Sequence, residues 1–171
     1  MLWVTRRTIR VNRAATGWLI RRFLDPDATF RFVEPEEVAA FERCDGAIGF
    51  DAPGVRYPHK DRLGRCSFEA LAAEYLPTDA ALRELARIVH DADFPRAPLP
   101  RPPKPDLAFD VVSLLPGRSD DPSVPVVEAA GLRAISFGFP LVTRDDHDTL
   151  ERSGFVYDAL YASLRQRALG R

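Results

Sequence analysis

Residues 95–106 read PRAPLPRPPKPD, six prolines in twelve positions. Proline has no amide hydrogen and its ring collides with the preceding helical turn, so this stretch fits neither a helix interior nor a central strand. The packed part of the chain has to be built from the segments on either side. The stretch itself reads as a stiff, extended connector of polyproline II type. A peptide ligand for a proline-reading module is the alternative. The full 171 residues suit one domain carrying this connector, and with 46% hydrophobic and 29% charged residues they can bury a core.

Before the connector, LWVTRRTIRV (2–11) is rich in β-branched residues and reads as a strand-like start. Asn12 is placed to cap a helix from Arg13 to Leu24, with Ala15, Trp18, Leu19 and Phe23 on one face and Asp25-Pro26 as its stop. TFRFV (29–33) reads as a strand, Pro35 to Glu42 as a short helix and Ala47 to Phe50 as another strand. That succession predicts a small parallel βαβ unit, although the helix is brief for a crossover. Residues 51–65 read as a loop. Ser67 can cap a helix from Phe68 to Tyr75, and Thr78 or Asp79 opens one from Ala80 to His90.

After the connector, AFDVVSLLPG (108–117) fits helix and strand equally. Ser123 and Pro125 precede a helix from Val126 to Phe139. Asp145 to Arg152 suits a charged helix, and Phe155 to Ala168 a last amphipathic one with Tyr157 and Tyr161 as a packed stripe. Helix outweighs strand, so the expected class is α+β: a mostly helical single domain with a small β-sheet.

The net charge is −1, which gives the molecule as a whole no attraction to nucleic acid or an anionic membrane. The distribution is uneven, because Arg6, Arg7, Arg10, Arg13, Arg21 and Arg22 all precede the first acidic residue, Asp25. Cys44 and Cys66 are the two cysteines; they form no CxxC pair and suit a reducing compartment. No apolar run spans a bilayer, and MLWVTRR lacks the features of a secretory signal. The expected location is the cytoplasm, and a homo-oligomer is left open.

The chemistry-bearing residues concentrate between Asp51 and Asp93. Two of the three histidines, His59 and His90, lie there with Cys66, Glu69, Asp91 and Asp93. A borderline divalent cation takes imidazole nitrogen and carboxylate oxygen from converging segments. His59, Glu69, His90 and Asp93 form the expected ligand set, with Cys66, Asp91 and Asp51 as supporting groups or further ligands. Zinc, manganese and iron are not distinguished by these residue types. Each residue also has a plainer reading. His59 can be a solvated loop histidine, and Cys66 either an activated thiol at a helix start or a buried inert one. If Cys66 rather than Ser67 caps its helix, Glu69 can fold back onto the helix N-terminus. Asp145, Asp146, His147 and Asp148 form a second acidic cluster that a charged helix start also explains. Arg10 and Arg13 flank Asn12 and are placed to hold an oxyanion, unless a carboxylate such as Asp51 absorbs Arg13.

WVTRR (3–7), VNRAATGWLIRRFLDPDATFRFV (11–33), FDAPGV (50–55), RCSFEAL (65–71), LARIVHDAD (85–93), EAAGL (128–132) and VYDALYASLR (156–165) together resemble the C-terminal domain of the ChrB family of chromate-resistance proteins. The resemblance implies a single domain of that type over 1–171. It implies a role in chromate resistance, with His59, Cys66, Glu69, His90 and Asp93 at matching motif positions. Arg10 and Asn12 depart from it, standing where the family tends to carry histidine and aspartate. Full-length members add an N-terminal regulatory region that this chain has no room for, so DNA binding does not carry over.

Three functions follow from these residues. One is a sensor or accessory protein binding a divalent metal or a small oxyanion. The second is a metal-dependent enzyme, hydrolytic or redox, using the same His/Glu/Asp groups. The third is an interaction partner that uses the proline-rich segment. No GxSxG, P-loop or HExxH pattern supports the common hydrolase and nucleotide-binding classes. On charge alone, mobility-shift assays near physiological salt should show no sequence-specific DNA binding. Weak binding through the N-terminal arginines at low salt should fade steeply as salt rises.

Overall fold

β1 (Leu2–Arg6) is the middle strand of a three-stranded parallel sheet. Trp3, Val4 and Thr5 are all buried, so both faces of this strand are covered, as the central strand of a parallel sheet requires. β2 (Thr29–Val33) pairs along its whole length, from Leu2 opposite Thr29 to Arg6 opposite Val33. β3 (Ile48–Gly49) pairs on the other side, Trp3 opposite Ile48 and Val4 opposite Gly49. The parallel βαβ unit expected for residues 29–50 is therefore split. β2 and β3 run the same way, but β1 lies between them, because its apolar residues on both faces claim the centre. The coordinates are a computed structural model that describes residues 1–94 and 126–169. The connector at 95–106, the ambiguous segment at 108–117 and the expected helix start at Ser123 and Pro125 lie outside the described residues.

α1 (Val11–Leu19) packs among the later helices Ser67–Tyr75, Ala80–Asp93 and Asp146–Leu169, and continues through a π-helical turn, Ile20–Leu24, closed by the Asp25 amide on the Ile20 carbonyl at 2.8 Å. Its cap is Arg10, not Asn12. Ile9 and Val11 are drawn fully into the core, which turns Asn12 inward as a buried helical residue. α2 (Val38–Asp45) lies between β2 and β3 in the chain and ends on Gly46 in the left-handed region. It starts three residues later than the acid- and proline-rich start suggests.

α3 (Ser67–Tyr75) opens at Cys66, whose amide donates to Glu69 Oε2 at 2.7 Å, the reciprocal closure that the Cys66-capped reading anticipates. α4 (Ala80–Asp93) is capped by Asp79, which accepts the Leu82 amide at 2.9 Å. It runs three residues past His90, so His90 and Asp93 share its last turn. α5 (Val127–Val142) carries Pro140 within it. α6 (Asp146–Leu169) is one helix where two were expected. Ser153-Gly154 does not break it, because Leu150, Ser153, Tyr157, Tyr161 and Leu164 make one continuous buried stripe at helical spacing. Tertiary burial overrides the weak glycine there.

Trp18 joins these helices. Its ring stacks on Phe68 at 6.5 Å and meets Phe23 edge-on at 5.5 Å, Tyr157 tilted at 5.9 Å and Tyr161 edge-on at 5.8 Å. Tyr157, fully buried, donates to the Val11 carbonyl at 2.9 Å. The molecule is thus a mostly helical α+β domain with a small sheet. Among the described residues no helix is long and apolar enough to cross a membrane.

Two glycines give a paired test of the packing. A Cβ on Gly49 would sit 2.6 Å from Val55 Cβ, whereas one on the exposed Gly131 in α5 would meet nothing within 4 Å. Gly49→Ala should cost about 1–3 kcal/mol in chemical denaturation. Gly131→Ala should stabilise by about 0.5–1 kcal/mol, the helix propensity difference.

Candidate functional site

The carboxyl ends of parallel strands are where such sheets place their functional groups, and Asp51 stands just past β3 at that edge. Its backbone is left-handed, φ +53°, a conformation that aspartate tolerates better than most residues. Its side chain is buried and surrounded by donors. Oδ1 receives Asn12 Nδ2 at 2.6 Å and faces His59 Nδ1 at 2.7 Å. Oδ2 receives guanidinium nitrogens of Arg6 at 2.9 Å and Arg13 at 3.0 Å, and Arg6 Nε also reaches the Asp51 carbonyl at 2.7 Å. Burial alone would raise this carboxyl. The His59 hydrogen bond and the Arg13 and Arg6 charges outweigh it and hold Asp51 below the usual carboxylate range.

Asn12 carries this polar centre into the core. Its amide nitrogen donates to Asp51 and to Ser67 Oγ at 2.9 Å. Its oxygen accepts the Phe68 amide at 3.2 Å and lies 3.3 Å from the Thr16 hydroxyl. Both ends of the amide are satisfied, as a buried polar side chain must be. The strand edge, α1 and the start of α3 are locked together through it.

His59 rises from the loop after β3. Its Nδ1, bonded to Asp51, is also 3.7 Å from Asp93 Oδ2. That Asp93 oxygen is buried and has no hydrogen-bond partner. Burial, reinforced by the Asp51 charge, pushes Asp93 upward. The Asp51 hydrogen bond pushes His59 upward despite partial burial. One oxygen of Asp51, one ring nitrogen of His59 and one oxygen of Asp93 lie within 4.8 Å of one another.

A second group adjoins the first. Glu69 Oε2 accepts the Cys66 amide and lies 2.6 Å from His90 Nδ1. The Cys66 sulfur, Glu69 and His90 again converge within 4.8 Å. The helix start does not activate this thiol. Complete burial, with the Glu69 charge beside it, raises Cys66 well above its ordinary value, so desolvation overrides the helix dipole. Phe94 contacts both imidazoles, its ring 4.9 Å from His59 and 5.0 Å from His90.

The four expected ligands thus fall into two neighbouring groups, His59 and Asp93 with Asp51, and Glu69 and His90 with Cys66. Asp91 is buried and accepts the Val126 amide at 3.1 Å, which fixes the start of α5. Arg13 is held by Asp51 and by the Thr8 carbonyl at 2.9 Å. Arg10 instead lies over the Phe137 ring at 4.4 Å. The acidic cluster of α6 behaves as a helix start. Asp145 accepts the Asp148 amide, Asp146 the Thr8 and Ile9 amides, and Asp148 pairs with Arg144 and Arg152. Sequence reasoning missed Arg6, Asn12, Ser67 and Phe94 as parts of the site. The signal available for Arg6 was position: it ends β1, and Asp51 follows β3 at the same edge of the parallel sheet.

Asn12→Asp should place a second carboxylate against Asp51. One of the two must then hold a proton, so the new group's folded-state pKa lies above its unfolded value. Its penalty is absent below the unfolded value and complete above the folded one. Denaturation across a pH series should show a loss of about 1–3 kcal/mol near neutrality, shrinking as pH falls.

The model of the ChrB C-terminal domain family matches residues 3–124. Protein ChrB of Cupriavidus metallidurans is 33% identical over 162 residues, covering 93% of this chain and 39% of that protein. The chain therefore spans about two-fifths of the length of that relative. No solved structure matches it. The family match and the identity along nearly the whole chain place this protein in the ChrB C-terminal domain family.

Proposed function

We propose that this domain is a chromate-resistance-associated sensor or accessory module that binds a divalent cation among Asp51, His59 and Asp93. The observation that carries this reading is the Asp93 oxygen, buried, without a hydrogen-bond partner, and aimed at an imidazole that a second carboxylate already orients. A buried carboxylate oxygen left unpaired is costly, and a cation supplies the missing partner. Carboxylate-to-histidine pairing of this kind fixes ring orientation and raises the basicity of the ligand. One nitrogen and two carboxylate oxygens suit zinc, manganese or iron(II). Membership of the ChrB family supports the link to chromate resistance.

The cation reading is favoured over an oxyanion at this spot because Arg6 and Arg13 are already engaged by Asp51. A chromate site would have to draw on Arg10, whose Nε is buried and without a hydrogen-bond partner. Three protein donors leave coordination positions for water, so metal-dependent hydrolytic or redox chemistry is the second reading.

Calorimetric titration of chelator-treated protein with zinc and manganese should show one site in this group. His59→Ala and Asp93→Asn should each weaken it at least about tenfold while circular dichroism stays unchanged. Because the ion displaces the His59 proton, affinity should rise as pH increases through the raised His59 value. No uptake, or equal uptake by both variants, would sink the proposal. Chromate-specific heat, absent with sulfate and lost in Arg10→Ala, would replace it with the oxyanion reading.

A further inference from the structure

We propose that Cys66, Glu69 and His90 form a separate site for a thiophilic divalent cation, chemically distinct from the all-nitrogen-and-oxygen group at His59. The three donors come from the first turn of α3, with its cap, and the last turn of α4, and their ligand atoms lie within 4.8 Å of one another. Thiolate, imidazole and carboxylate together suit zinc, cobalt(II) or cadmium rather than magnesium or calcium.

Access and burial divide unequally. Cys66 is completely buried, while the Glu69 and His90 side chains are 22% and 27% exposed. An ion would enter past the imidazole and carboxylate and meet the sulfur last. The buried thiol keeps its proton in the free protein. A bound cation supplies the compensating charge, so the S–H bond breaks, the thiolate sulfur binds the ion, and the proton leaves to solvent. No electron is transferred. Where His90 Nδ1, 2.6 Å from Glu69 Oε2, becomes the ligand, the neutral imidazole carries its hydrogen on Nε2 instead.

The capping geometry makes the sulfur separable from the fold. Cys66 occupies the cap of α3, a position where serine is preferred over most residues. Cys66→Ser therefore preserves the helix start and removes only the soft donor. Cys44 is exposed and supplies a control thiol elsewhere on the chain.

The experiment is cobalt(II) titration of the full chain under reducing conditions, read by absorption. A thiolate-to-cobalt charge-transfer band is expected in wild type, in Cys44→Ser and in His59→Ala, and is expected to vanish in Cys66→Ser. His90→Gln, with the sulfur intact, should weaken cobalt binding at least tenfold. Loss of the His59 group's binding with the band retained counts against the proposed function alone. Absence of the band from wild type, its persistence in Cys66→Ser, or its loss in Cys44→Ser would overturn this site.

Discussion

A carboxylate buried among two guanidiniums, an amide and an imidazole governs the rest of this structure. Moving an ionised aspartate out of water costs several kcal/mol unless its charge and lone pairs are met. Asp51 meets both conditions, because Arg6 and Arg13 take one oxygen while Asn12 and His59 take the other. Those four partners come from the end of β1, from α1 and from the loop after β3. Assembling them is therefore the same event as closing the sheet edge. Replacing Asp51 would strand Arg13, which is largely buried, and would release His59 and Asn12 together.

This centre also decides what its neighbours can do. Asp51 is fully engaged, so it orients His59 rather than acting as a free base. Asp93, the last residue of α4, faces the same imidazole at 3.7 Å with an oxygen that has no hydrogen-bond partner among the described residues. A hydrogen-bonded carboxylate and an unpaired one thus flank a single histidine, and the proposed cation site rests on that asymmetry. The Phe94 ring touches both imidazoles, so the two groups share one aromatic neighbour.

The sequence made the helical frame legible wherever local signals and tertiary packing agree. Asp79 caps α4, Glu69 folds back on Cys66, and Trp18 and the Tyr157–Tyr161 stripe lie in the core, each readable from residue type and spacing. The misses share a cause. Asn12 looks like a cap and Ser153-Gly154 like a helix end, because these are the local preferences of such residues, whereas Cys66 takes the buried, inert alternative of its two readings. Long-range burial overrules each of them. The candidate site was legible as a list of residues. Its division into two groups was not, since the strand-end position of Asp51 acts only through the fold.

Asn12 shows how one uncharged residue sets the electrostatics of the whole edge. A carboxylate in its place would face Asp51 at a 2.6 Å contact and require a shared proton or a cation. The amide supplies a donor there instead, and its oxygen caps the Phe68 amide at the start of α3. Asp51 is thereby left ionised and committed to Arg6, Arg13 and His59. The unmet valence passes to Asp93, farther out along α4 and beside the partly exposed His59. Asp51 belongs both to the group it forms with His59 and Asp93 and to the network that closes the sheet, so the two are joined through one carboxylate.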